Sequence, residues 1–202
     1  DRPLLVILRY PQREEARRRG LALRNAPAHA GKIRLALAGA GGFALAMHLP
    51  NLDKLKALYQ LTTVMSRTGA NAVMAANRFG AAKATTDYEE VIQDPDIDLV
   101  LIATRHDQHA EMVLRALRAG KNVFVEKPLA ITEAQLQEIE QYSRETGSTP
   151  LLMTGFNRRF SPAVQAIRAL IAGRTSPMIV NYRMNAGFIP GDHWVHGPQG
   201  GG

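Results

Sequence analysis

The sequence predicts an α/β fold with a doubly wound parallel sheet, followed by the start of an α+β domain. Short apolar and β-branched runs alternate with helical patterns of about 10–15 residues, which is typical of βαβ units. A glycine-rich turn after the first apolar run has the spacing of a dinucleotide-binding fingerprint. At 202 residues, with 46% hydrophobic and 21% charged residues, the chain has the composition of a globular protein and enough length to bury a core.

The glycine-rich turn is the strongest motif at the start of the predicted sheet. An apolar strand that starts at Ile33 ends at Gly39, and Gly39-x-Gly41-x-x-Ala44 gives the G-x-G-x-x-A spacing. In this motif the first glycine allows a tight turn, the second lets a pyrophosphate approach the backbone, and the alanine lets the helix pack closely on the strand. The N-terminal N–H groups of that helix would then face the phosphates. An ordinary strand-to-helix turn is the alternative.

The remaining elements follow from apolar periodicity and from residues that start or stop helices. Asp87 is a candidate N-cap, Thr132-x-x-Gln135 has capping-box spacing, and Gly80 and Gly120 are typical C-terminal stops. We predict that the first helix stops near Pro50. The predicted strands after the first are residues 59–65, 83–86, 99–103, 123–125 and 151–154, and the predicted helices are residues 42–50, 70–79, 87–92, 108–119 and 132–147.

Charge and composition narrow the classes of protein. The net charge is +7, but residues 1–34 hold nine Lys/Arg against three acidic residues, so the basic character belongs to the leading segment. We interpret that segment as a linker or the remnant of an upstream domain; an arm that binds nucleic acid is the less favoured alternative. No apolar run approaches the roughly 18 residues of a membrane span. The absence of cysteine excludes disulfides and thiolate metal sites and favours a cytoplasmic protein.

The end of the second strand bears on the choice of cofactor. Ser66 and Arg67 stand where this type of fold usually has an acidic residue for the ribose 2′-hydroxyl of NAD. An arginine there accommodates a 2′-phosphate, and a serine can donate to it. The pair therefore predicts NADP, with NAD possible, against the alternative of a solvated loop arginine.

Three stretches carry a resemblance to a known family. GAGGFA, LIATRHDQHAEMVLRALRAGKNVFVEKPLA and GFNRRFSP occur in this order. The chain thereby resembles the glucose–fructose oxidoreductase/inositol dehydrogenase family (Gfo/Idh/MocA) from about Lys32 to Gly202, and Glu126-Lys127-Pro128 is the most specific element. The basic start and the glycine-rich end are similar to members fused behind a medium-chain alcohol dehydrogenase-like domain.

This resemblance implies a domain organisation. Residues 1–31 would be a linker or the tail of an upstream domain, and residues 32–155 the dinucleotide-binding Rossmann domain. Residues 156–202 would be the truncated start of a substrate and oligomerisation domain, whose sheet would begin at residues 178–184. The catalytic acid/base would then lie beyond Gly202, and this chain alone would have negligible activity and tend to associate.

The resemblance also implies the roles of individual residues. Lys127 would be catalytic, between the nicotinamide and the substrate hydroxyl, where a cationic donor stabilises the oxygen that gains negative charge. A solvated Glu126–Lys127 pair, and for His109 a place on the helix surface, are the alternatives. Arg105 and His106 stand where the family often has Pro and Asn. The implied cofactor contacts are Gly39, Gly41, Gly42, Phe43, Ala44, Ala103, Thr104, His109, Glu126, Lys127, Asn157 and Arg159.

These expectations favour an NAD(P)-dependent oxidoreductase. It would transfer hydride between the nicotinamide and a carbinol of a sugar or cyclitol-like small molecule, without a membrane partner, and its full-length form would be a homo-oligomer. A dinucleotide-binding regulator without turnover is the alternative of a different class. His193 and His196 lie close together, but without supporting cysteines or carboxylates we expect no metal site.

Overall fold

The computed structural model describes residues 19–24, 31–147, 150–185 and 187–201. These residues form a seven-stranded sheet with the order β1-β4-β3-β2-β5-β6-β7. The strands are β1 (Gly20–Ala22), β2 (Ile33–Ala38), β3 (Tyr59–Met65), β4 (Lys83–Thr85), β5 (Leu99–Ile102), β6 (Asn122–Val125) and β7 (Leu152–Thr154).

The sheet is doubly wound, as predicted. The strands β2 to β7 pair in parallel, and only the edge strand β1 runs antiparallel to its neighbour β4. The order reverses between β2 and β5, which pair from Leu35↔Leu99 to Ala38↔Ile102. In such sheets, ligands bind outside the carboxyl ends of the strands at this switch point.

The helices cover both faces of the sheet and largely follow the predicted boundaries. Asp87 caps its helix by accepting the N–H of Glu89, Thr132 and Gln135 form the predicted capping box, and Gly80 ends a helix with φ +78°. The helices are α1 (Leu49–Lys54), α2 (Gly69–Phe79), α3 (Tyr88–Ile92), α4 (His109–Arg118), α5 (Glu133–Thr146) and α6 (Pro162–Ile171), with short 3₁₀ turns at His106–Gln108, Asn157–Phe160 and Trp194–His196.

The first helix does not stop at Pro50, so that prediction is wrong. A π-turn over Ala44–His48 precedes α1, and the N–H of Leu49 bonds to the carbonyl of Ala44. Pro50 consequently lies in the first turn of α1, where its missing N–H costs little, and the helix continues to Lys54.

Side chains of β2 alternate between two cores. Leu35 and Leu37 pack beneath α2, whereas Ala36 and Ala38 pack with α3, α4 and α5 on the other face. All four residues are at most 1% exposed. The carboxyl end of β2 is therefore anchored on both faces at the switch point.

Two terminal segments differ from the predictions. Gly20–Ala22 lies within the predicted linker, yet it joins the sheet as β1, and Leu23 donates to the carbonyl of Ala82 at 2.7 Å. Residues 1–18 and 25–30, which carry most of the proposed basic arm, lie outside the described residues. Residues 178–184 form no strand with any other part of the chain that the structure describes, and Ile179 is 92% exposed.

A search of the described helices finds none long and apolar enough to cross a membrane.

Candidate functional site

The turn after β2 requires glycine at its first position. Gly39 has φ +104°, and a Cβ on it would lie 2.6 Å from the carbonyl carbon and oxygen of Ala103. Its N–H donates to Met65 at 2.9 Å, and the N–H of Ala103 donates to Ala38 at 2.8 Å. The ends of three neighbouring strands are thereby held together at the switch point.

The next positions leave an open cradle. Gly41 and Gly42 are exposed, and a Cβ on either would meet no atom within 4 Å. The side chain of Phe43 is 49% exposed, whereas Ala44 is 1% exposed and packs into the core. The backbone at this helix start can therefore be approached closely by a ligand, which is what a pyrophosphate requires.

Ser66 and Arg67 lie at the carboxyl end of β3. Ser66 is 6% exposed, and its N–H donates to the carbonyl of Thr85 at 3.1 Å. Arg67 is exposed beside it. Of the two residues, Arg67 has the freer side chain with which to reach a phosphate.

His109 lies in the interior, at 0% exposure. Its Nδ1 is 2.6 Å from the carbonyl oxygen of Pro128, and its Nε2 is 3.2 Å from that of Thr104. Burial lowers the pKa of His109, although the two carbonyls act in the opposite direction. This imidazole links the loop after β5 to the loop after β6 and does not lie on the helix surface. Its two ring nitrogens face the protein carbonyls of Pro128 and Thr104, and its contact with the cofactor stays a prediction.

Glu126 is 7% exposed, and its carboxylate is engaged within the protein. Its Oε1 is 2.8 Å from Nε2 of His48, and its Oε2 accepts the N–H of Lys127 at 3.3 Å. Burial alone would raise the pKa of Glu126, but the hydrogen bond from His48 and the charge of Lys127 outweigh it and lower that pKa. The alternative of a solvated Glu126–Lys127 side-chain pair therefore does not hold, because the side-chain partner of Glu126 is His48. Both carboxylate oxygens of Glu126 have a hydrogen-bond partner.

Lys127 is exposed beside this buried carboxylate, and the Lys127–Pro128 peptide bond is cis. Within the described part of the chain, no hydrogen bond or ion pair holds its ammonium group. The N–H of Glu126 donates to the carbonyl of Ile102 at 2.9 Å, and this hydrogen bond holds the loop that carries Lys127 beside the carboxyl end of β5. The ammonium group is therefore available to a ligand at the carboxyl edge of the sheet.

Asn157 and Arg159 lie in the exposed turn after β7. The guanidinium of Arg159 lies 5.7 Å from the ring centroid of Phe156 and donates to its carbonyl at 3.0 Å. The same strand end approaches Glu126, because the N–H of Gly155 bonds to Val125 at 2.8 Å. The turn is next to the loop that carries Lys127, but its arginine is held locally.

Two side chains at this edge have partners that we did not predict. His48 ends the π-turn and lies in T-shaped contact with Phe124, with ring centroids 5.8 Å apart. The guanidinium of Arg105 lies over the ring of Trp194, 5.3 Å from its centroid. A polar residue inside the apolar run FALAMHLP was the available signal for His48, whereas nothing local pairs Arg105 with Trp194.

The two C-terminal histidines have no metal-site geometry. His193 caps the 3₁₀ turn, its Nδ1 accepting the N–H of Val195 at 3.3 Å. Among the residues that the structure describes, no group of three or more His, Cys, Asp or Glu side chains could hold a metal ion.

An open glycine cradle at the switch point of a doubly wound sheet defines a dinucleotide-binding domain, and the exposed Lys127 follows the neighbouring strand β6. The chain belongs to the Gfo/Idh/MocA family, whose profile, described as an oxidoreductase family with an NAD-binding Rossmann fold, matches residues 33–156.

Curated relatives are named dehydrogenases and reductases. The chain is 36% identical over 142 residues to 4-carboxy-2-hydroxymuconate-6-semialdehyde dehydrogenase of a Sphingobium strain, covering 70% of this chain and 44% of that protein. It is 36% identical to trans-1,2-dihydrobenzene-1,2-diol dehydrogenase of Xenopus tropicalis, over 61% of this chain and 36% of that one. It is 35% identical to 1,5-anhydro-D-fructose reductase of Ensifer adhaerens, over 65% of this chain and 39% of that protein. The chain thus spans less than half the length of these relatives.

The similar solved structures are also oxidoreductases and reductases. A 3-ketoreductase from Actinomadura kijaniata, in complex with NADP and TDP-benzene, superposes with a TM-score of 0.63 at 30% identity, covering 70% of this chain and 42% of that one. An NAD binding oxidoreductase from Klebsiella pneumoniae superposes with a TM-score of 0.61 at 32% identity, covering 70% of this chain and 38% of that one.

Proposed function

We propose that this chain provides the cofactor site and the catalytic lysine of an NADP-dependent oxidoreductase that acts on a carbinol of a sugar or cyclitol-like substrate. The observation that carries the proposal is the hydrogen bond between His48 and Glu126. It joins the helix that starts at the glycine cradle to the residue before Lys127. The family and the relatives, several of them dehydrogenases or reductases of hydroxylated compounds, support it.

The residues present fit a dinucleotide. Gly41 and Gly42 would hold the pyrophosphate, because the space that a side chain would fill is open there. Arg67 would pair with a 2′-phosphate, which favours NADP, and the related 3-ketoreductase was solved with NADP. Ala103 and Thr104, half-buried at the end of β5, would lie beside the riboses.

A bound nicotinamide supplies the hydride donor or acceptor. Lys127 would donate a hydrogen bond to the carbinol oxygen and stabilise the negative charge that develops there. Glu126 and His109 would orient the Lys127 loop, since one accepts the N–H of Lys127 and the other lies within hydrogen-bond distance of the carbonyl of Pro128. The hydroxyl proton of the carbinol would pass to a general base or to solvent as the hydride leaves the carbon.

Hydride transfer by the complete protein tests the proposal. We expect NADP⁺ reduction, followed at the nicotinamide absorbance, with at least one member of a panel of inositols, hexoses and sugar acids. The opposite result would be a protein that binds NADP⁺ tightly, yet neither reduces NADP⁺ with any carbinol nor oxidises NADPH with any ketone. That result would contradict the proposal and favour a non-catalytic dinucleotide-binding regulator.

A further inference from the structure

Arg105 is a positioned cation without an anionic partner. It is exposed directly after β5, and its guanidinium stacks on Trp194 at 5.3 Å from the ring centroid. Arg34 and Arg115 each pair with carboxylates. In the described part of the chain, Arg105 makes neither an ion pair nor a side-chain hydrogen bond, even with Asp107 two residues away. Its N–H groups are therefore free to bind a ligand.

Trp194 is itself held in place by the turn that follows Arg105. The His106 ring meets the indole edge-on, with ring centroids 4.9 Å apart. Nδ1 of His106 is 3.0 Å from the carbonyl oxygen of Gly200, and the N–H of Asp107 donates to Gln199 at 3.3 Å. The segment 193–201 is thus seated on the 106–108 turn, and the indole fixes where the guanidinium lies.

Arg105 and Lys127 lie on two loops that one side chain bridges. His109 lies within hydrogen-bond distance of the carbonyl of Thr104, which precedes Arg105, and of the carbonyl of Pro128, which follows Lys127. Both cationic residues are exposed at the same edge of the sheet. A substrate that contacts Lys127 therefore comes within reach of the loop that carries Arg105.

In the described part of the chain, the carboxylates near these two cations form no ion pair with either of them. Glu126 is engaged with His48 and with the N–H of Lys127. Asp107 has a buried Oδ1 that finds no hydrogen-bond partner among the described residues, and this carboxylate forms no ion pair with Arg105. This edge of the sheet thus presents two exposed cationic side chains that no carboxylate pairs with.

We propose that Arg105, positioned by Trp194, binds an anionic group, a carboxylate or a phosphate, on the carbinol substrate. The planar fork of arginine matches either group through two parallel hydrogen bonds, and stacking on an aromatic face leaves its edge N–H groups available. This inference rests on the proposed function, because it assigns the class of substrate for that same site.

Trp194 also supplies the probe, since it is the single tryptophan of the sequence. The chain, saturated with NADP⁺, is titrated with D-glucuronate, D-glucose 6-phosphate and D-glucose, which differ only at C6, while tryptophan fluorescence is recorded at constant ionic strength. We expect at least one of the two anionic sugars to bind about tenfold or more tightly than glucose. Whichever anion binds tightly identifies the source of the negative charge.

Variants separate Arg105 from general charge effects. Arg105→Ala should abolish the preference for the anionic sugar, whereas Arg118→Ala, which removes an exposed arginine at the end of α4, should keep it. Equal affinity for all three sugars, no binding of either anion, or a preference that survives in Arg105→Ala would overturn the inference. Calorimetry of NADP⁺ alone is run in parallel, and a chain that fails to bind NADP⁺ would contradict the proposed function instead.

Discussion

Nε2 of His48 lies 2.8 Å from Oε1 of Glu126, with both side chains at most 16% exposed. The last residue of the π-turn is thereby bonded to the residue before Lys127. Because the same helix begins at the glycine cradle, a change at the cradle can reach the lysine loop through one hydrogen bond. Gly155 lies close to this pair, since a Cβ there would be 3.1 Å from Oε1 of Glu126, a tight contact.

Removing His48 should destabilise the fold. His48→Ala leaves the buried carboxylate of Glu126 without its donor, a loss of about 1–3 kcal/mol in the free energy of unfolding. His48→Gln, which keeps an N–H donor, should lose less. Urea denaturation measures both variants, and equal stability of His48→Ala and the parent would show that the pair contributes nothing.

The same pair predicts a pH dependence. The pKa of Glu126 is lowered in the folded state from its ordinary value of 4.5, so its ionised form stabilises the fold above that value. The advantage of the parent over Glu126→Gln should be present at neutral pH and disappear as the pH falls through the lowered folded pKa. Denaturation curves at a series of pH values test this, and an advantage that grows in acid would contradict it.

From the burial of His109 we predict a second loss of stability, at a higher pH than the loss that involves Glu126. Burial lowers its folded pKa below the ordinary 6.5, so protons favour the unfolded chain as the pH falls below that value. The parent should therefore lose stability from pH 7 towards the acidic range more steeply than His109→Asn, which has no titrating ring. Parallel slopes for the two proteins would show that His109 does not titrate on unfolding.

The sequence predicts those elements that local rules determine. Gly80, Asp87 and the Thr132/Gln135 capping box act within one helical turn, so their roles could be assigned and the structure confirms them. Pro50 misled the prediction of the first helix, because a π-turn moves this residue into the first turn of the following helix. Residues 178–184 have strand-like composition, but a strand also needs a neighbour, which no local pattern reveals.

Tertiary partners at the site were beyond local rules. His48 and Glu126 are 78 positions apart, and Arg105 contacts Trp194, which lies near the C-terminal end of the sequence. Lys127 could be singled out only through the resemblance of its motif. The burial of His109 could not be predicted, because it depends on the carbonyl of Pro128 from a distant loop.

Arg67 should determine the choice of cofactor. A phosphate–guanidinium contact is worth roughly 1.5–3 kcal/mol, or about tenfold to a hundredfold in affinity, so the chain should prefer NADP over NAD by that factor. Arg67→Ala should remove the preference, and Arg168→Ala, an exposed arginine on α6, should not. Calorimetric titration with NADP and with NAD measures both affinities. Equal affinities in the parent chain would refute the proposed role of Arg67 as the 2′-phosphate partner.

Lys127 should affect turnover more than folding. In the complete protein, Lys127→Ala should lower kcat by roughly 10²-fold or more, because one preorganised donor to the developing oxyanion is lost. The melting temperature should change little, since the side chain is exposed. Steady-state kinetics and thermal unfolding measure the two effects, and near-normal kcat would return Lys127 to an ordinary surface residue.

The central claim is that the glycine cradle binds the cofactor, and NADP⁺ titration of two matched glycine variants tests it most directly. Gly41 and Gly173 both have open space around a Cβ, so replacing either with alanine should leave the melting temperature unchanged. Only the Cβ of Gly41→Ala lies where the pyrophosphate must approach the backbone. We predict that Gly41→Ala weakens NADP⁺ binding at least about tenfold while Gly173→Ala binds like the parent. Unchanged NADP⁺ affinity in a folded Gly41→Ala chain would contradict the claim.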